Sequence, residues 1–339
     1  MTVDPMKADT QAPLAARVYA QLARGGFHSG ADLARELDVT RSAVWKAAVA
    51  LRELGIVVHA VRNRGYRLRD PSEPLDAARI ADALSVEART RLCRIETVWR
   101  LESTNARLLE RNDLPAGRAD VLLAEYQTAG RGRRGRPWIA PPGGAICLSI
   151  GWVFTQLPRD LAALGLAVGV CALRALRRHA RAPIGLKWPN DLVVDGRKLG
   201  GILIEMRAES GGPSYVVVGV GINVALGAQL KKEIAATGTE AVDLAAAGAD
   251  PVARNSIAAH LIEEILAGLL TFEEEGLRPF VEEWESADAL RGRPINVQAA
   301  AGPVCGVARG IDIGGALLLE TPGGLRKFVS GEVSVRPET

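Results

Sequence analysis

The sequence predicts a multidomain α/β protein, and three observations carry that prediction. At 339 residues the chain is about two to three times the usual length of one domain. Its hydrophobic fraction of 48% with 24% charged residues is ordinary globular chemistry, which excludes disorder, collagen and coiled coil. Helical periodicity dominates the amino-terminal part, helices and strands alternate through the middle, and short glycine-punctuated strands fill the tail.

The net charge of +3 is unevenly placed. Residues 1–70 hold 11 Lys or Arg against 7 Asp or Glu, a surplus of +4 that leaves −1 for the rest. A basic module on a near-neutral body points to a polyanion-binding head, although a solvated basic face gives the same count. The longest apolar run, residues 161–173, stops at Arg174, Arg177 and Arg178 and falls short of the ~20 residues of a membrane span. The leader carries acids and no apolar core, so neither a secretion signal nor an anchor is expected. The cytoplasm is the default location, with no membrane partner. Cys93, Cys147, Cys171 and Cys305 form no CxxC pair and the histidines lack HExxH spacing. No metal site and no disulfide framework is therefore expected, only buried, inert thiols.

The head reads as three helices and a hairpin. Apolar residues recur at helical spacing over residues 12–24, and Gly25-Gly26 stops that helix. A short second helix spans residues 31–37. In the turn that follows, Asp38 tolerates the left-handed conformation and Thr40 can cap the third helix, residues 41–54. Val44, Ala47, Ala48, Leu51 and Leu54 form its core stripe. The opposite face begins with Arg41, Ser42, Trp45 and Lys46, the composition of a recognition helix entering a major groove. Trp45 could instead complete packing against a neighbouring domain. After Gly55, a β-branched run leads to Arg62-Asn63-Arg64-Gly65 and then to Tyr66 and Leu68 alternating with arginines, a hairpin with a basic tip. The order resembles a winged helix-turn-helix with Arg62 and Arg64 on the wing; a three-helix protein-docking module with a solvated hairpin is the competing reading. Pro71 and Pro74 mark the linker that ends the module.

In the middle of the chain, residues 94–99 read as a strand, followed by Ser103-Thr104-Asn105, side chains suited to capping a helix from Ala106. A second strand over residues 121–126 runs into Gln127-Thr128-Ala129-Gly130-Arg131-Gly132-Arg133-Arg134-Gly135-Arg136-Pro137-Trp138. So dense a mixture of arginine and glycine neither forms a long helix nor buries a core, so the loop is expected to be mobile or held by an anion. Gly130, Gly132 and Gly135 satisfy G-x-G-x-x-G, but prolines follow where a helix should open and no acid lies between Ile139 and Pro158, which argues against a dinucleotide fold. A Walker loop is absent from the sequence. An arginine-glycine loop of this kind can still wrap phosphates and carboxylates; a disordered RNA-binding tract is the bland alternative. Further on come a strand over 145–153, a buried helix over 161–180, and Lys187-Trp188-Pro189-Asn190-Asp191, a short strand broken into a turn. Lys187, set between Leu186 and Trp188, is expected to face an anion. Two strands of one sheet follow, over 197–205 and 215–224. In the second, Gly219 and Gly221 alternate and leave one face bare, either for something flat or because of a bulge.

Three segments together, residues 125–138, residues 187–192 and Gly219-Val220-Gly221-Ile222-Asn223, resemble the biotin protein ligases. With the head in front, the chain is similar to their bifunctional bacterial form, a ligase that is also the biotin operon repressor. The resemblance implies an α/β multidomain fold: a winged helix-turn-helix (12–70), a central mixed-sheet α/β ligase domain of the biotin/lipoate ligase type (75–287) and a C-terminal SH3-like β-barrel (288–339). It implies ATP with Mg2+ and biotin as substrates, and biotinyl-5′-AMP as intermediate. The implied partners are the biotin carboxyl carrier protein of acetyl-CoA carboxylase, operator DNA, and a second copy of the chain in an adenylate-bound homodimer.

By motif position, Lys187, Arg131 and Arg133 would be the catalytic cations. Ser103, Thr104, Asn105, Gln127, Gly130, Gly132, Gly219 and Gly221 would join them around biotin. Arg136, Trp138, Asn190 and Asn223 would join the same cations around ATP. Glu332 and Arg336 match positions that couple the tail to ATP and acceptor use, with a surface ion pair as the plain alternative. The sequence departs from the related repressors in three places: no aromatic residue lies in 229–248 to pack on adenine, Asp38 replaces a glycine, and Trp45 replaces a polar residue. A lipoate-type ligase, a purely regulatory sensor, and a ligase whose head only docks acceptors are the other readings of the same motifs.

Overall fold

The computed structural model describes residues 12–70, 72–111, 113–155, 158, 160–207, 214–250, 253–299, 302–329 and 334–337. The head holds α1 (Leu14–Leu22), α2 (Gly30–Glu36) and α3 (Arg41–Glu53), followed by β1 (Val58–Val61) and β2 (Gly65–Leu68). Asp38 takes φ 53°, and the Thr40 hydroxyl accepts from the Ala43 N–H at 3.2 Å, so turn and cap form as their side chains dictate. Val44, Ala47, Ala48 and Leu51 meet Val18, Leu22 and Leu33 in the head's own core. Leu54, expected on that stripe, follows the helix as its cap residue and is only half-buried.

The linker is strapped to the body. Its backbone is bound by two residues of the body, Glu125 and Arg254, which pair with each other at 2.9 Å. Arg254, fully buried, donates to the Glu73 carbonyl at 2.7 Å, and the Leu75 N–H donates to Glu125 at 2.5 Å. Tyr19 of α1 donates to Ser72, which donates to the Gly143 carbonyl. Trp99 stands between Tyr19 and Tyr126, with ring centroids at 5.5 and 5.7 Å. The head is thus docked through an aromatic stack. Pro71 lies outside the described residues.

The body contains α4 (Ala77–Ala83), α5 (Val86–Arg91), β3 (Leu92–Leu101), α6 (Thr104–Leu109), β4 (Ala119–Gln127), β5 (Ala145–Phe154), α7 (Leu164–Arg177), β6 (Gly185–Lys187), β7 (Asp191–Val194), β8 (Arg197–Arg207), β9 (Ser214–Asn223), α8 (Ala228–Ala236), α9 (Arg254–Glu275) and α10 (Val281–Ser286). Its seven strands run in the order β3-β4-β5-β9-β8-β7-β6, with β3 and β4 parallel and every other pair antiparallel. The two-residue strand period sorts the faces of β9. Val218, Val220 and Ile222 join the core that includes α7 and α9, while Val217 and Tyr215 pack with Leu108 of α6 on the other side. Pairing of β9 with both neighbours is unbroken, so no bulge explains its glycines.

The tail forms β10 (Pro294–Ala299), β11 (Gly302–Ile311), β12 (Leu317–Thr321), β13 (Gly324–Phe328) and β14 (Ser334–Pro337), an antiparallel sheet in the order β13-β12-β11-β10-β14. Arg336 lies opposite Asn296 in the β10–β14 register, and Glu332 lies outside the described residues. Of the four thiols expected to be buried, only Cys147 and Cys171 are; burial pushes them up to about 11 and about 12, which makes both inert. Cys93, on the edge strand β3, is half-buried and Cys305, on β11, is exposed.

Candidate active site

A cavity of about 860 Å³ opens on the α6 side of the sheet. Its floor exists because two positions of β9 lack side chains. A Cβ on Gly219 would come within 2.3 Å of the Asn105 amide oxygen, and one on Gly221 within 2.6 Å of the Trp138 indole. The bare strand face is therefore filled by the protein itself: Asn105 lies over one glycine and the Trp138 ring over the next.

The start of α6 forms a polar nest above this floor. Ser103 caps the helix, its hydroxyl accepting from the Ala106 N–H at 3.4 Å. The Thr104 N–H and hydroxyl both donate to Gln127 Oε1, at 2.7 and 3.0 Å. Ser149, fully buried on β5, holds its hydroxyl 2.7 Å from Thr104 Oγ1 and 2.6 Å from Asn105 Oδ1. The Asn105 amide nitrogen donates to Glu205 at 2.9 Å and to the Leu203 carbonyl at 3.2 Å. Buried polar groups so thoroughly paired are held in one orientation, as a site for a polar, neutral ligand requires.

The arginine-glycine loop closes on itself. Arg131 bridges Pro137, the Gly132 N–H donates to the Arg136 carbonyl at 2.7 Å, and the Trp138 N–H donates to the Gly130 carbonyl at 2.8 Å. A short 3-10 turn, Arg133–Gly135, forms its tip, with Arg134 at φ 59°. In this conformation the loop is a small hairpin tied by its own backbone, with Trp138 at its end lying on Gly221. Its arginines still belong to the cavity: Arg131, Arg133, Arg134 and Arg136 line it with Lys187 and Lys198, and with Asp191 and Glu240. Burial lowers the proton affinity of Arg133, the charge of Arg134 adds to that, and Asp191 opposes it. Arg133 reaches Asn190 at 3.5 Å, and Asn190 in turn donates to the Ile202 carbonyl at 2.8 Å.

Lys187 ends β6, directly opposite Asp191 of β7, and Asp191 pairs with Lys198 at 2.7 Å. Asn223 also lines the cavity, but its amide nitrogen donates to the Val242 and Lys198 carbonyls at 3.0 and 3.3 Å, bracing the wall behind. Ile234, Thr237, Thr239 and Ala241 continue that wall, so the region without an aromatic residue still reaches the cavity.

The structure brings together Ser103, Thr104, Asn105, Gln127, Arg131, Gly132, Arg133, Arg136, Trp138, Lys187, Asn190, Gly219, Gly221 and Asn223. Gly130 stands apart from the lining; a Cβ there would strike the Trp138 carbonyl at 2.5 Å, so its task is to let the hairpin cross. Ser149, Asp191, Lys198 and Glu205 were not singled out from the sequence. Two of them carried a signal: Asp191 ends the Lys187-Trp188-Pro189-Asn190-Asp191 segment, and Lys198 follows the next turn. Among the described residues no group of three or more metal-ligating side chains converges.

The head presents a second surface. Arg41, Ser42 and Lys46 are exposed on α3, and Trp45 is 56% exposed, so Trp45 does not complete interdomain packing. Arg62 and Arg64 are exposed beside the wing turn, where Arg64 and Arg67 both stack on Phe27, at 4.3 and 4.9 Å.

Fold and cavity together define a helix-turn-helix head joined to an anion-binding α/β ligase body. Residues 98–223 match the Biotin/lipoate A/B protein ligase family, residues 15–67 an HTH domain, and residues 291–336 the Biotin protein ligase C terminal domain. The chain is 37% identical to the bifunctional ligase/repressor BirA of Escherichia coli over 97% of this chain and 98% of that one. It is 35% identical to the biotin–[acetyl-CoA-carboxylase] ligase of Mycobacterium tuberculosis over 77% of this chain and 95% of that one. The solved biotin protein ligase of Aquifex aeolicus in complex with biotin and ATP superposes with a TM-score of 0.59 at 30% identity, covering 73% of this chain and 99% of that one. The chain belongs to the biotin protein ligase family, in its bifunctional ligase and repressor form.

Proposed function

We propose that this protein is an ATP-dependent biotin ligase that also represses transcription of biotin synthesis genes. In the first step a biotin carboxylate oxygen attacks the α-phosphorus of ATP, the bond to the β-phosphate oxygen breaks, and biotinyl-5′-AMP and pyrophosphate result. In the second, a lysine amine of the biotin carboxyl carrier protein of acetyl-CoA carboxylase attacks the acyl carbon, AMP leaves, and the amine loses a proton. Mg2+ enters with the ATP phosphates as part of the substrate.

One observation carries this reading: the nest of Thr104, Asn105 and Gln127, braced from behind by Ser149, lies in the same cavity as Lys187 and the flap arginines. The nest suits the neutral ureido ring. The cations suit the charge that develops when carboxylate and phosphate are brought together. Lys187, Arg131 and Arg133 would stabilise that charge, with Arg136, Trp138, Asn190 and Asn223 on the nucleotide side. The flap would shield the mixed anhydride from water. The adenylate-bound chain would pair as a homodimer and bind operator DNA through Arg41, Ser42, Trp45, Lys46, Arg62 and Arg64. Arg336, on the edge strand β14, and Glu332 would couple the tail to this cycle. No described helix is long and apolar enough to cross a membrane.

Incubation with biotin, ATP, Mg2+ and a carboxyl carrier domain, read by intact mass, tests the reading. A carrier heavier by one biotinyl group supports it. An unmodified carrier, or equal transfer of lipoate, overturns it.

A further inference from the structure

The flap has two roots, and they are held by different forces. At one end the Trp138 ring lies on Gly221, an apolar contact. At the other, Arg131 Nη2 stands 3.5 Å from Glu205 Oε1, an ionic contact. The second oxygen of the same carboxylate, Oε2, accepts from the Asn105 amide at 2.9 Å. Glu205 therefore touches both the flap and the floor of the cavity. With its two N–H groups directed to Glu205 and the Leu203 carbonyl, Asn105 is held with Oδ1 toward Ser149 and Gly219, where it can only accept.

We propose that Glu205 is a positioning residue that latches the root of the arginine-glycine flap through Arg131 and fixes the Asn105 amide as an acceptor for a ligand N–H. The second role rests on the biotin reading above; the first does not. Arg131 is 47% exposed and Glu205 26%, so the ion pair adds little to global stability. It acts on a local equilibrium, flap closed against flap open, in which a small bias changes the open population severalfold. An ionic root is also exchangeable: an anionic ligand in the cavity competes with Glu205 for Arg131, whereas Trp138 stays in place. Screening by salt weakens only the ionic root.

The test uses the full-length protein and its variants Glu205→Gln and Glu205→Ala. Gln keeps the shape and an acceptor for Asn105 but removes the charge; Ala removes both. Limited trypsin digestion, with cuts after Arg131, Arg133 and Arg134 read by mass spectrometry, reports flap opening without any ligand. Both variants should be nicked there about three- to tenfold faster than wild type at low salt, and wild type should approach them as ionic strength rises. Biotin affinity measured by calorimetry should weaken about tenfold in Glu205→Ala, the effect of one lost hydrogen bond to a charged group, and stay within about twofold in Glu205→Gln. Equal nicking of all three proteins overturns the latch. Equal biotin affinity in Ala and wild type overturns the orienting role. Faster nicking in variants of a protein that binds no biotin would uphold the latch and remove the biotin reading instead.

Discussion

Trp188 donates its indole N–H to the Gly315 carbonyl across 3.0 Å, and so joins the segment that carries Lys187 to the C-terminal sheet. The residue on the other side of Lys187 is held from the same direction. The Leu186 N–H donates to the Ala287 carbonyl at 2.7 Å, and the Leu186 carbonyl accepts from Ala289 at 2.8 Å. Lys187 thus lies between two neighbours, one tied to the tail itself and the other to the connection into it. The tail can shape the position of the lysine through buried backbone contacts, beside any coupling through Glu332 and Arg336.

Trp188→Phe keeps an aromatic side chain, smaller than the indole, and removes the donor. Adenylate formation in a single turnover should slow about tenfold while the fold is retained, since one buried carbonyl loses its partner. A rate equal to wild type would show that this contact does not position Lys187.

Arg133→Gly should leave adenylate formation within reach but let the intermediate escape, because the half-buried guanidinium on the flap no longer holds the phosphate side. Bystander lysines in a protein mixture should become labelled, and mass spectrometry would count them. Labelling confined to the carrier would remove Arg133 from that role.

Asp288 is pushed up to about 6 from 3.8, chiefly by burial; the Leu290 N–H, which donates to it, pulls the other way. The folded state therefore holds this proton more tightly than the unfolded one. Stability from this group is fullest below about 3.8, falls as pH rises to about 6, and stays lower above that. Asp288→Asn should raise Tm at pH 7.5 by about 2–4 °C, the response of a protein of this size to about 1 kcal/mol, discounted for water at a half-buried site. The gain should vanish as the pH is lowered toward 4, which thermal melts across that range would check.

Arg254→Met leaves Glu125 buried without its cation and frees the strap at Glu73. It should cost about 3–5 kcal/mol in urea unfolding, and Glu125→Gln in the same chain should restore part of the loss. Additive losses would mean the two side chains act separately.

For the head, Lys46→Ala and Arg64→Ala should each reduce the salt slope of operator binding by about one, whereas Trp45→Ala should weaken affinity and leave the slope alone. Titrations of promoter DNA from biotin synthesis genes at several salt concentrations would separate these effects. Slopes unchanged by all three substitutions would move DNA binding elsewhere.

Local patterns were legible in the sequence wherever the physics is local. Asp38 in the left-handed region, the Thr40 cap and the basic wing follow from side chains acting within a few residues. The glycine alternation in β9 announced a bare face, but not that Asn105 and Trp138 would cover it, because that depends on which distant segments the sheet brings together. The same non-local pairing hid Ser149 and Glu205, ordinary residues in ordinary strands until β5 and β8 join one sheet. The linker was legible only as a break: prolines mark an interruption of secondary structure and say nothing of the buried Glu125–Arg254 pair that grips the backbone beside them.

Biotin-dependent exchange of radiolabelled pyrophosphate into ATP isolates the step for which the cavity is argued to be built. The wild-type protein should exchange with biotin and not with lipoate, and Lys187→Ala should bind biotin yet lose about a hundredfold or more of the exchange rate. Undiminished exchange in Lys187→Ala, or a wild-type protein indifferent to biotin, would contradict the account.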